Sequence, residues 1–305
     1  IRRQRQMCIR DRFEDIRTAF REAWVQPDGS LAYWGEMSKG TPQADGTIIN
    51  QTRYCENADS THHPSQTAYA LAIDFNLMPE ETMAQTTHYF VESIHRRDNH
   101  LSVGFLGISH LLPALTKCGQ NELAFALLEQ KGNPGWLYSV INGATTIWER
   151  WNSYIAETGT FGDVSMNSFN HYAYGSIGQW LYRTVLGIQT GENTDEAGYH
   201  KIFLTPSWGG TLTYAKGEQE TPFGKITSSW EKKENSIVYH CTIPANTTAH
   251  LSLPSSCHSS VQILEGAAIT DTAAVSGVAD FELVSGSYTF KTVSYTHLRA
   301  HETSL

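Results

Sequence analysis

The chain is 305 residues long, 40% hydrophobic and 17% charged, with a formal net charge of −9 at pH 7. That balance fits an ordered globular protein of one large core or two domains, and it excludes a disordered chain. Basic residues are scattered, so no nucleic-acid or anionic-membrane partner is expected, and no apolar run approaches the roughly 18 residues of a membrane span.

The flanks are set aside first. Codons can be chosen for Val293 to His297 whose reverse complement encodes Met7 to Asp11, so both ends can come from one DNA sequence read from opposite strands. Residues 1–12 and 293–305 are therefore expected to be translated library adapters, with the chain an internal piece of a longer protein. Its localisation is then unreadable from its start. Without Cys8, the cysteines are Cys55, Cys118, Cys241 and Cys257, with no C-x-x-C pair to suggest a zinc ribbon or redox motif.

From 13 to 190 the pattern is helical. "FEDIRTAFREAWV" places Phe13, Ile16, Phe20 and Trp24 at helical spacing, and "QPDGS" ends the run. "PSQTAYALAIDF" predicts a helix capped by Ser65, and "MPEETMAQTTHYFVESIHRR" predicts one whose first turn holds Pro79 and two acids. "LLPALTKCG" and "NELAFALLEQKG" read as a helix pair, and "MNSFNHYAYGSIGQWLYRTVLGI" as one long aromatic-rich helix. No strands alternate with these helices, so an all-α assembly is expected.

Past a boundary at "GIQTGENTDEAG" (187–198), residues 191–292 change character. "KIFLTP", "TLTYAKGEQE", "KITSSWEKKE", "SIVYHCTIP", "TTAHLSLP" and "DFELVSGSYTF" alternate apolar and polar residues between Gly, Pro and Asn turns, which predicts a small antiparallel β-sandwich. Within the helical part, the segments around 26–63 and 142–165 are too long for ordinary connections and carry Trp, Tyr, Glu and Asn. Such loops are commonly functional.

In the second of these loops "TTIWERWN" sets Glu149 between Trp148 and Trp151. Sugars present C–H faces that stack on indoles and hydroxyls that bond to carboxylates, so this pattern suits a glycan site. A salt bridge from Glu149 to Arg150 fits the same residue types. His171, in "NHY" near the start of the long final helix, is placed to bond a sugar or to position Glu149, and equally to be a core histidine. His88, Glu92 and His95 share a helix face and fit a solvated surface better than a metal site. His62 and His63 are further candidates for substrate contact. No G-x-S-x-G, P-loop or dinucleotide fingerprint occurs.

Taken in order, "PSQTAYALAIDFNLMPEE", "HLSVGFLGISHLLPAL", "GWLYSVINGATTIWERWN", "MNSFNHYAYGSIGQWLYRTVLGI" and "ITSSWEKKENSIVYHCTIPANTTAHLSLP" resemble the C-terminal part of bacterial α-L-rhamnosidases of glycoside hydrolase family 78. The resemblance implies the C-terminal portion of an (α/α)6 six-hairpin barrel, followed by the β-sandwich. It also implies inverting removal of terminal α-L-rhamnose from a glycoside or polysaccharide, with no cofactor and no metal required. Inverting enzymes hold an acid and a base roughly 6.5–9.5 Å apart, leaving room for water. By the family motifs Glu149 is the general base and His171 a substrate contact, and Trp136, Trp148 and Trp151 are expected as pocket walls. The family's acid motif, R-D-E-R-x-G-W, has no match between 13 and 292, so the isolated chain is expected to be inactive. Two readings compete with this one: an inverting (α/α)6 glycosidase for another neutral or deoxy sugar, and a non-catalytic glycan-binding fragment.

Overall fold

The computed structural model describes residues 2–32, 41–42, 48–49, 64–191, 196–254, 261–266, 269–271 and 278–293. His62, His63, Cys55 and Cys257 lie outside them. The chain falls into two compact units, residues 1–177 and 178–305. No helix among the described residues is long and apolar enough to cross a membrane.

The first unit contains α1 (Arg2–Trp24), a short ribbon of β1 (Thr41–Pro42) and β2 (Ile48–Ile49), then α2 (Gln66–Asp74), α3 (Met83–His95), α4 (Phe105–Lys117), α5 (Asn121–Leu128) and α6 (Trp136–Ile141). The first helix begins at Arg2 rather than near Phe13, with residues 9–12 exposed. Its anchor is Arg21, which donates to the carbonyls of Leu77 (2.7 Å) and Met78 (2.8 Å). Ser65 caps α2 as its position predicts, accepting from the Ala68 N–H at 3.2 Å. Helices α2 and α4 pack closely because Gly107 has no side chain, where a Cβ would stand 2.5 Å from Thr67 Oγ1. Tyr69, Phe90, Ile94, Leu111, Leu115 and Phe125 fill the core beneath them.

Two expectations for this region are corrected. A hairpin of β3 (Tyr154–Ile155) and β4 (Thr160–Phe161) interrupts the all-α pattern, turning at Gly159 with φ +67°. The long final helix begins at Ala173 rather than near Met166, with 166–172 following an irregular course. The Ser168 hydroxyl accepts the Asn170 N–H, a local bond that competes with helix formation, and the Asn167 side chain is drawn away to the Ser153 carbonyl. The helix runs as a 3-10 turn at Ala173–Ser176, as α7 (Ile177–Trp180) and as a π turn at Leu181–Val185.

The second unit holds β5 (Ile188–Thr190), β6 (Lys201–Leu204), β7 (Tyr214–Thr221), β8 (Gly224–Lys233), β9 (Ser236–Ile243), β10 (Thr248–Pro254), β11 (Val261–Glu265), β12 (Ile269–Asp271), β13 (Val278–Leu283) and β14 (Gly286–Val293). They form two five-stranded sheets, β12-β13-β10-β6-β5 and β11-β14-β9-β8-β7. Alternation decides the inner faces: Leu251 and Leu253, Phe281 and Leu283, Ile226 and Trp230, and Tyr239 and Cys241 are all buried. Phe281 of one sheet meets Phe290 of the other with ring centroids 5.1 Å apart, so the sheets pack face to face.

Three details differ from expectation. Strands β6 and β10 pair in parallel, so the sandwich is not wholly antiparallel. The run "DFELVSGSYTF" is two strands of different sheets, divided at Gly286 with φ +152°. Strand β5 occupies part of the stretch read as a boundary, because Ile188–Thr190 bond to β6.

Within the second unit the end of the π turn is fastened to β8. Trp230, fully buried, donates its indole N–H to the Val185 carbonyl at 2.8 Å, and Ser228 donates to Leu186 O at 2.6 Å. Trp230→Phe keeps the ring but leaves that carbonyl without its buried donor. It should lower unfolding free energy by about 1–3 kcal/mol in urea titrations, and a change below about 0.5 kcal/mol would contradict the anchoring role.

Candidate active site

Two stretches of irregular chain cross beside α4. The Glu149 N–H donates to Ser168 O at 2.9 Å, the Ser168 N–H returns to Glu149 Oε2 at 2.6 Å, and the His171 N–H donates to Ile147 O at 2.8 Å. Thr146 adds a side-chain bond to the Phe169 carbonyl. The strand-like crossing thus fixes the Glu149 carboxylate by one oxygen. No partner for Oε1 is found among the described residues.

The Glu149–Arg150 ion pair, an open alternative on residue types, is not formed. Arg150 turns to Asp163, Nη1 to Oδ2 being 3.6 Å. Asp163 is itself held by the Ser165 hydroxyl (2.7 Å) and N–H (2.9 Å), which lower its carboxyl below the ordinary value. Between these residues the chain folds back on Ser153, fully buried, whose hydroxyl accepts from Arg150 N–H at 3.1 Å. Asn167 donates to the Ser153 carbonyl at 3.0 Å. The tryptophan-flanked motif is therefore a tied turn.

Glu149 and Trp151 line a cleft of about 1360 Å³ in the first unit, together with Phe105 and Tyr174. The Trp151 indole is fixed on three sides. It stacks on Tyr174 at 3.8 Å and 7°, meets the edge of Trp136 at 5.4 Å, and donates Nε1–H to Val103 O at 3.0 Å. Phe105 continues the aromatic row, 5.9 Å from Tyr174 and stacked on His171 at 4.8 Å. The His171 Nδ1 accepts the Ala173 N–H at 3.2 Å, so a neutral ring carries its proton on Nε2. Two further lining residues, His100 and Ser102, are tied by buried Gln66, which donates to His100 O (3.0 Å) and accepts from Ser102 N–H (2.7 Å).

Of the five residues singled out in the sequence, Glu149 and Trp151 line the cleft directly. His171 reaches the same aromatic row through Phe105. Trp136 stands behind the row, buried, donating Nε1–H to Tyr174 O at 2.9 Å. Trp148 faces the other way, buried against Phe169 at 5.5 Å, and does not line the cleft. Phe105, Tyr174 and Ser168 went unselected by sequence reasoning. Tyr174 follows His171 by three residues in the same aromatic motif, and that was the available signal. On α3, His95 Nδ1 sits 3.4 Å from Glu92 Oε1 on the exposed surface, and no group of three or more metal-ligating side chains occurs among the described residues.

Gly162 has no room for a side chain, since a Cβ would meet Asn152 O, a backbone atom, at 2.7 Å. Gly162→Ala must displace the loop that carries Glu149. A loss of about 1–3 kcal/mol in chemical denaturation and faster proteolysis near 150–165 are expected; an unchanged melting profile would contradict this packing.

A family model described as the bacterial alpha-L-rhamnosidase 6 hairpin glycosidase domain matches residues 7–185, and one described as the bacterial alpha-L-rhamnosidase C-terminal domain matches 187–267. The alpha-L-rhamnosidase of Streptomyces avermitilis is 38% identical over 240 residues, 79% of this chain and 22% of its own length. One from Formosa agariphila is 41% identical over 199 residues, 65% of this chain and 21% of its own. Among solved structures, the Streptomyces avermitilis alpha-L-rhamnosidase complexed with L-rhamnose superposes with TM-score 0.76 at 35% identity, covering 92% of this chain and 24% of that one. The alpha-L-rhamnosidase of Dictyoglumus thermophilum gives 0.68 at 26%, covering 92% and 28%. The chain thus spans between 21% and 28% of these relatives' length.

Proposed function

We propose, for a chain that belongs to the bacterial α-L-rhamnosidase family with its six-hairpin glycosidase domain, that it carries the general-base half of an inverting site for terminal α-L-rhamnose. The observation that carries this reading is Glu149, a cleft carboxylate bound by one oxygen to a backbone N–H and free of any cation partner among the described residues. A base needs an oriented oxygen that no salt bridge has claimed, and Oε1 meets that need.

Water activated by Glu149 attacks the anomeric carbon from the face opposite the leaving oxygen, so the α-linked sugar leaves as β-L-rhamnose. Trp151, immobilised by Tyr174 and Val103, offers a flat apolar face to the pyranose C–H groups. His171, its Nδ1 committed to the backbone, keeps its Nε2–H to donate to a sugar hydroxyl. Trp136 supports Trp151 rather than touching sugar, and Trp148 braces Phe169, next to the Ser168 that anchors the base. Helices α2 to α6 are read as part of an (α/α)6 barrel. The acid, lacking a motif here, is assigned to the portion of the relatives that this chain does not span.

On this reading the isolated chain turns over no aryl α-L-rhamnoside. Glu149→Gln in the longer protein should lower kcat about 10²–10⁴-fold with KM little changed. A variant with an unaffected rate would remove Glu149 from the mechanism, and product released as the α anomer in early NMR spectra would remove inversion.

A further inference from the structure

The second unit contains a cleft of about 510 Å³, sharing no lining residue with the Glu149 cleft, between α7 with its π turn and the edge strand β5. Its size falls in the range of small-ligand sites, roughly 300–1,000 Å³. Its lining includes two tyrosines, Tyr182 and Tyr199, three glutamines and Arg183, and holds no carboxylate among the described residues. Such a lining suits a hydroxyl-rich ligand with negative charge.

Each polar group can be assigned by what it has left to give. Gln189 spends its amide N–H groups on Arg183 O (3.0 Å) and Thr205 Oγ1 (2.6 Å), which leaves its carbonyl oxygen as an acceptor. Gln219 likewise donates to Glu220 O at 2.9 Å and keeps an acceptor. Two fixed acceptors call for hydroxyl donors. The Arg183 guanidinium is exposed and makes no ion pair among the described residues, and its planar fork matches a carboxylate. Tyr199 is held at φ +68°, a conformation L side chains rarely adopt, with its N–H on Thr190 Oγ1 at 3.3 Å. Strain kept at a bulky aromatic on a cleft wall is a mark of a functional position.

We infer that this cleft is a second carbohydrate-binding site, separate from the rhamnose cleft, and that it takes a uronic-acid-bearing oligosaccharide. The carboxylate pairs with Arg183, hydroxyls donate to Gln189 and Gln219, and the pyranose faces pack on Tyr199 and Tyr182. Such a site would hold an acidic polysaccharide while the first unit works on its rhamnose ends.

The test is isothermal titration of the full chain with di-D-galacturonic acid and with its uncharged dimethyl ester. Binding of the acid is expected, weakened at least tenfold by Arg183→Gln, while that variant binds the ester as the unaltered chain does. Tyr199→Gly suits the left-handed backbone, so it should keep or raise the melting temperature and lose both ligands. Glu149→Gln should change neither. Absence of binding to the unaltered chain, equal affinity of acid and ester, or affinity indifferent to Arg183→Gln and Tyr199→Gly would overturn the inference.

Discussion

The pair of reciprocal bonds between Glu149 and Ser168 is the constraint on which the site depends. A backbone N–H of Glu149 reaches Ser168 O at 2.9 Å, and the Ser168 N–H answers on the Glu149 side chain at 2.6 Å. An irregular loop seldom fixes a carboxylate well, because each residue outside regular structure retains conformational freedom. Here one loop borrows order from another. The crossing continues to His171 through Ile147 O, so Glu149 and His171 are spaced by backbone rather than by side-chain reach.

Aromatic contacts carry that order outward. Trp151, Tyr174, Phe105 and His171 form an unbroken row backed by Trp136, and α4 supplies Phe105 at its first turn. Position of the row relative to the helices is set by the Trp151 bond to Val103 O, just ahead of α4. Offset and edge-on pairs of this kind add about 0.5–1.5 kcal/mol each beyond burial, enough to hold a platform flat without filling the cleft. Arg150 contributes by its absence from Glu149: its attachment to Asp163 removes the cation that would have occupied the carboxylate.

Much of this was legible in the sequence, and the parts that were not share a cause. Ser65 as a cap, the helix pair read over 111–132 and found as α4 and α5, and the strands over 201–254 follow from local chemistry and periodicity, which the chain states directly. Glu149 and Trp151 stood out because a carboxylate among indoles is an unusual composition. Ser168 could not be found that way, since it acts through a backbone N–H that any residue but proline provides. Trp148 and Trp151 are indistinguishable by type, and only the turn closed on Ser153 sends one to Phe169 and the other to the cleft. The late helix start at Ala173 has the same origin, as the local bond on the Ser168 hydroxyl and the long-range bond from Asn167 to Ser153 O override an aromatic periodicity that reads as helical.

The central claim is that Glu149 and Trp151 together face a rhamnosyl ring. The most direct measurement is electron density from a crystal of this chain soaked with L-rhamnose. The account predicts a pyranose in the cleft, its anomeric carbon toward Glu149 Oε1 with room for one water between, and a C–H face over Trp151. A cleft left empty at saturating sugar, or a ring seated away from Glu149, would contradict it.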